Sequence, residues 1–251
     1  MRNLYPDDDA VNLIKEVSER DYNEKEREYP IENTQKVILY SDILAREEKL
    51  NEEEKKLLLI TAALHDGGIK TININKDKNF MSQNLPIIQT AIEYNKFLEY
   101  PVGRINEKEI RKIGSKYQLQ FKDLKTTEKI SMLLKDATLL EKEYCRERID
   151  YLHSETAKRK EIIDFANMIN NDVSEELDKI KEQGGKNIPV ENVLQIFMKE
   201  KGKDYKGNEV YINRFFNMNG VEFDDNELKR VNDAVYGIFK SEIEKDDGKE
   251  R

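Results

Sequence analysis

The stretch LLLITAALHDGGIK, residues 57–70, decides the predicted fold of this chain. Residues 57–64 are all apolar or small, and they follow the charged, helix-favouring segment NEEEKK at residues 51–56. An uninterrupted apolar run after such a segment predicts a helix that is buried on most sides. Gly67 and Gly68 predict its end, because glycine adopts the left-handed conformation of a helix C terminus at least cost.

The end of this helix carries His65 followed directly by Asp66. A buried carboxylate is costly unless a cation, a metal or hydrogen bonds compensate it, so the pair needs partners. One interpretation is structural: the helix dipole favours a histidine in the last turn, and Asp66 hydrogen-bonds to it and to the turn behind it. The other interpretation is a functional site, which requires further ligands elsewhere in the chain.

Composition excludes several classes of protein. The 251 residues include 43 basic and 51 acidic side chains, and the net charge of −8 argues against extensive contact with nucleic acid. A single cysteine, Cys145, excludes an internal disulfide, and two histidines are too few for a histidine-rich zinc site. No apolar run approaches membrane-spanning length and the first residues form no apolar signal core, so we expect a cytoplasmic protein without membrane contact.

The remaining pattern predicts an all-α fold. Apolar periodicity indicates helices over residues 9–28, from residue 31, and over 85–98, 107–117, 126–143, 155–170, 173–182, 190–201 and 225–244. A polar loop is expected over residues 71–83, and a minor hairpin near residue 212. Gly184 and Gly185 predict a boundary between a helical domain, residues 1–183, and a C-terminal helical extension packed on it, residues 184–251.

Two polar residues stand where apolar ones are expected. Asn33 heads the apolar face of the helix that begins near residue 31. Asp136 lies beside an apolar stripe rather than on the solvent face of its helix. Both are candidate partners of the His-Asp pair.

These segments resemble the HD-domain superfamily of metal-dependent phosphohydrolases. Members open one helix with a histidine followed four residues later by valine, end an apolar helix in AALHD-x-G, and carry L-x-D-A further on. This chain has Val37, AALHDGG at residues 62–68 and LKDA at residues 134–137. The segment RERIDYLHSETAKRKEIIDFA, residues 146–166, is also similar to some bacterial members. The resemblance covers roughly residues 30–170 and implies an HD-like helical bundle.

The resemblance implies a metal site in which His65, Asp66 and Asp136 are ligands, with Asp66 as the candidate catalytic residue. In the family the metal binds phosphate and acidifies the water that attacks phosphorus. Asn33 takes the place of the first histidine, and its amide oxygen favours manganese or magnesium over zinc. The expected partner is a small phosphorylated ligand, and the predicted phosphate-binding residues are Lys70, Lys36 and Lys135.

The chain also departs from the family pattern. Asn33 replaces a histidine, Ile69 stands where a basic residue often follows the motif, and no histidine occurs between residues 66 and 152. A two-metal site is therefore not expected, and His153 is predicted to be a surface or helix-start residue.

Three functional hypotheses follow. The favoured one is a degenerate HD-domain protein, a pseudoenzyme that acts as a regulatory or binding module, with part of the metal site retained and a metal bound or absent. The alternative is an active single-metal phosphohydrolase that acts on a nucleotide or another phosphate ester. The third is a helical interaction protein whose likeness to the superfamily is coincidental.

Overall fold

A computed structural model describes residues 6–18, 30–66, 78–97, 107–142, 149–203 and 209–213. The chain divides into two compact units. The first comprises residues 6–193, and the second includes the described residues 194–203 and 209–213. The division lies within a helix beyond Gly185, and the predicted domain boundary at that glycine stays a prediction.

The fold is all-α, as predicted. The helices are α1 (Asp8–Ser18), α2 (Ile31–Glu47), α3 (Glu52–Leu64), α4 (Lys78–Phe97), α5 (Glu107–Lys116), α6 (Leu124–Leu140), α7 (Lys160–Glu182) and α8 (Val190–Met198). None of the helices in the described part of the chain is long and apolar enough to cross a bilayer.

The second unit contains an antiparallel hairpin of β1 (Lys199–Lys203) and β2 (Glu209–Asn213), in which Lys199 pairs with Asn213. It lies where the minor hairpin was predicted.

Helix α2 is at the centre of the first unit and packs against α1, α3, α6 and α7. Helix α3 begins at a capping box, because Asn51 accepts a hydrogen bond from the Glu54 backbone N–H (2.9 Å) while the Glu54 carboxylate accepts one from the Asn51 N–H (3.3 Å). Residues 57–64 are all buried, which confirms the helix predicted to be buried on most sides. The apolar run therefore positions His65 at the end of a core helix.

Several predicted element boundaries are wrong. Helix α4 already begins at Lys78, so residues 78–83 are helical and not part of a loop. Their polar side chains bond within the helix, since the Ser82 hydroxyl donates to the Asn79 carbonyl (3.0 Å) and the Asn84 amide to the Phe80 carbonyl (3.0 Å). The two helices predicted over 155–170 and 173–182 are one helix, α7, which begins only at Lys160 because the Arg159 backbone is extended. The helix predicted over 190–201 ends at Met198, and residues 199–201 belong to β1. The final helix, predicted over 225–244, lies outside the described residues.

Helices α2 and α7 end in the same hydrogen-bonded motif. After α7, Gly185 N–H donates to the Ile180 carbonyl (2.8 Å), and Gly184 has a φ of 81°. After α2, Leu50 N–H donates to the Ala45 carbonyl (2.9 Å), and Lys49 occupies the left-handed position with a φ of 54°. A side chain is strained at this position, which glycine occupies readily.

We expect Lys49→Gly to raise the free energy of unfolding by roughly 0.5–1 kcal/mol, because the left-handed conformation costs glycine nothing in the folded state. Urea denaturation measures the change. Lys49→Ala keeps the strain and is the control. An equal gain in both variants would contradict the explanation.

Candidate functional site

The His-Asp pair lies at the end of α3 and contacts α2. His65 Nδ1 is 2.6 Å from the Ala62 carbonyl oxygen, and His65 Nε2 is 2.9 Å from Asp66 Oδ1. Both ring nitrogens therefore lie at hydrogen-bond distance from an oxygen atom. Asp66 Oδ2 accepts a hydrogen bond of 2.8 Å from the Thr34 hydroxyl of α2. The pair thus joins the end of α3 to the first turns of α2.

The environment of Asp66 favours its charged form. Burial acts to raise the pKa of the carboxyl, but the hydrogen bond and charge of His65, the Thr34 hydroxyl and the Lys142 charge hold that pKa below its ordinary value. Lys142, which follows α6, therefore acts electrostatically on this site.

Asn33 lies half-buried on α2, next to Thr34. Its backbone N–H donates to the Pro30 carbonyl (3.1 Å), and its side chain makes no hydrogen bond within the described part of the chain. On α2, the residue that bonds to Asp66 is therefore Thr34, which was not among the predicted site residues. The sequence indicates this role of Thr34 only weakly. Thr34 precedes Val37 by three residues and so lies on the same face of the helix.

Asp136 is fully buried on α6 and holds the segment before α7. Its Oδ1 accepts the His153 backbone N–H (2.7 Å), and its Oδ2 accepts the Ser154 backbone N–H (2.8 Å). The His153 ring also lies against it, with Nδ1 3.2 Å from Oδ1. None of the hydrogen bonds and ion pairs in the described ranges joins Asp136 to His65 or Asp66.

His153 was predicted to be a surface or helix-start residue, and both alternatives are wrong, since the next helix begins only at Lys160. Its side chain is only 10% exposed because it packs onto Asp136. Its Nε2 is buried and has no hydrogen-bond partner among the residues that the structure describes.

The predicted phosphate-binding lysines have different surroundings. Lys36 is buried, and its Nζ lies 3.5 Å from Glu141 Oε1 and 3.3 Å from the Glu141 backbone carbonyl. Glu141 Oε2 also lies 3.0 Å from the Lys142 ammonium. Lys36 is therefore neutralised within the core by a glutamate that the sequence analysis did not consider.

Lys135 is half-buried on α6, and no carboxylate of the described residues lies at ion-pair distance from it. Burial lowers the pKa of its ammonium, the nearby Lys142 charge acts in the same direction, and Asp136 opposes them. The phosphate-binding role of Lys135 stays a prediction. Lys70 lies outside the described residues.

The residues present do not fit a metal centre as they lie. Across the described ranges, no three His, Cys, Asp or Glu side chains are grouped so that they could hold a metal ion. Both oxygens of Asp136 already accept backbone N–H groups. His65 Nε2 lies 2.9 Å from Asp66 Oδ1, so it is directed at a neighbouring carboxylate oxygen and not at an open ligand position.

Comparisons with known proteins identify no relative of this chain. No family model, no curated protein and no solved structure matches this chain. The likeness to the HD-domain superfamily therefore rests on the motifs in the sequence.

Proposed function

We propose that this protein is a divergent member of the HD-domain superfamily that serves as a binding or regulatory module and not as a metal-dependent phosphohydrolase. One observation carries the proposal: the polar atoms of His65, Asp66 and Asp136 already have hydrogen-bond partners within the protein. Asp66 bonds to Thr34 and His65, while Asp136 bonds to the backbone of residues 153 and 154. Such groups have hydrogen-bonding roles that require no cation.

The charges around the site support a small anionic ligand for this module. Lys135 is half-buried without an ion-pair partner in the described ranges, and Lys142 acts on both it and Asp66. A phosphorylated small molecule would supply a negative charge next to the Lys135 ammonium.

Isothermal titration with Mn²⁺, Mg²⁺ and Zn²⁺ tests the proposal, together with an assay of p-nitrophenyl phosphate hydrolysis in each metal. We expect no saturable binding at about 100 µM metal, which corresponds to less than about 5.5 kcal/mol of binding free energy, and no turnover. One bound ion with turnover would overturn the proposal, provided that Asp66→Asn abolishes both and Asp178→Asn, at an exposed carboxylate, abolishes neither.

Asn33→His is the complementary test. The substitution restores the imidazole that the family places at this position of α2. If the proposal is right, the variant stays without metal and without turnover, since Asp136 remains bonded to the backbone of residues 153 and 154. Metal binding and turnover that appear only in this variant would show that the scaffold is catalytically intact and that Asn33 is the lesion.

A single-metal phosphohydrolase is the second candidate, and one contact favours it. Metal-ligating histidines usually donate their other N–H to a carbonyl or carboxylate, as His65 Nδ1 does to the Ala62 carbonyl. This candidate requires the His65 ring to turn Nε2 away from Asp66 and towards a cation that Asp136 also contacts. The same metal titration decides between the two functions.

A further inference from the structure

Asp136 lies against the segment that connects α6 to α7. Residues 152–159 are not a regular helix, and their turns are held by local bonds: Ala157 N–H donates to the Ser154 hydroxyl (3.0 Å), and Arg159 N–H donates to the Thr156 carbonyl (3.1 Å). Two polar links join this segment to the helices. The Arg159 guanidinium donates to Glu47 of α2 (2.6 Å), and the fully buried Asp136 carboxylate accepts two adjacent backbone N–H groups.

We infer that Asp136, the position at which the resemblance implies a metal ligand, is a metal-independent anchor that fixes the segment leading into α7. A buried carboxylate that accepts two backbone N–H groups satisfies its own charge and the two donors together. The inference deepens the proposed function and rests on it only in that Asp136 carries no metal.

An anchor and a metal ligand respond oppositely to removal of the carboxylate charge. In a metal centre without its ion, clustered carboxylates repel each other, so neutralising one of them leaves the protein equally or more stable. At an anchor, neutralisation weakens charge-assisted bonds and turns an amide N–H₂ towards backbone N–H donors. The metal-free protein then becomes less stable. The direction of the stability change on Asp136→Asn therefore distinguishes an anchor from a metal ligand.

The experiment compares wild type, Asp136→Asn and the exposed control Asp178→Asn by urea denaturation in EDTA. We expect the unfolding equilibrium constant of Asp136→Asn to rise by about 100-fold, because two buried N–H groups lose a charged acceptor. Asp178→Asn is expected to match wild type. Trypsin cleavage after Lys158 or Arg159 should also accelerate in Asp136→Asn. Stability equal to or above wild type would overturn the inference.

A second measurement needs no variant and remains decisive if Asp136→Asn does not fold. Amide hydrogen exchange of the wild type in EDTA should show protection of the His153 and Ser154 N–H groups. Exchange of both at unprotected rates would overturn the inference. Metal binding with turnover would instead overturn the proposed function. The exchange experiment in EDTA tests the anchor alone, so failure of the inference and failure of the proposed function give different results.

Discussion

Asn170→Leu is expected to lower the free energy of unfolding by about 3 kcal/mol. Asn170 of α7 is 2% exposed, and its amide donates to the Leu140 carbonyl (2.8 Å) and the Lys142 carbonyl (3.3 Å). Its Oδ1 accepts the Tyr40 hydroxyl of α2 (2.8 Å). Leucine has a similar shape and bonds to none of these groups, so the carbonyls at the end of α6 lose a buried donor.

Urea denaturation of three variants separates this effect from a simple loss of packing. Tyr40→Phe removes only the hydroxyl and should cost about 1 kcal/mol. Asn171→Leu makes the same substitution at the neighbouring exposed position and should change stability by less than about 0.5 kcal/mol. If Asn170→Leu cost no more than Asn171→Leu, these bonds would have no role in holding α6 and α7 together.

The fold was predictable where consecutive apolar residues require a buried helix. The apolar run at residues 57–64 dictates a buried helix whatever surrounds it, and the structure buries every one of those residues. The start of α4 was not predictable in this way, because residues 78–83 mix polar side chains with Phe80 and Met81 and show no apolar run. Their helical state includes bonds within the helix such as that of Ser82.

Within the candidate site, only the contact between sequence neighbours was predictable. Adjacency guarantees that His65 and Asp66 can touch, and they do. The bond from Thr34 to Asp66 and the contact between His153 and Asp136 join residues on different elements, so they depend on how the helices pack. No periodicity along the chain carries that information.

Asp42 should give the protein a pH dependence of stability that Asp42→Asn removes. Its side chain is fully buried; Oδ2 accepts two hydrogen bonds from Arg46 (2.8 and 3.1 Å) and the Asp7 backbone N–H (3.2 Å). Oδ1 lies 3.6 Å from the ammonium of Lys55, which also forms an ion pair with Asp7. Burial raises the pKa of Asp42 to about 6, the charge and hydrogen bond of Arg46 oppose this, and the charge of Asp9 adds to it.

The sign of the effect follows from proton linkage. In the unfolded chain the pKa of Asp42 returns to its ordinary value of 3.8, so the folded state binds the proton more tightly. The stability contributed by this group is fully present below that value and is lost as the pH rises through about 6. Between about pH 4.5 and about pH 7.5 the loss amounts to about 2 kcal/mol.

The measurement is urea denaturation of wild type and Asp42→Asn across this pH range. The difference in unfolding free energy between them should shift by about 2 kcal/mol in favour of the variant as the pH rises. Comparing the two proteins cancels the contribution of Asp66, which both contain. The lowered pKa of Asp66 makes stability rise with pH, opposite to the effect of Asp42. The exposed control Asp178→Asn should keep the wild-type profile. Parallel profiles for wild type and Asp42→Asn would mean that Arg46 and Lys55 fully compensate the buried charge, and that α1 is joined to α2 and α3 through a carboxylate that stays ionised throughout.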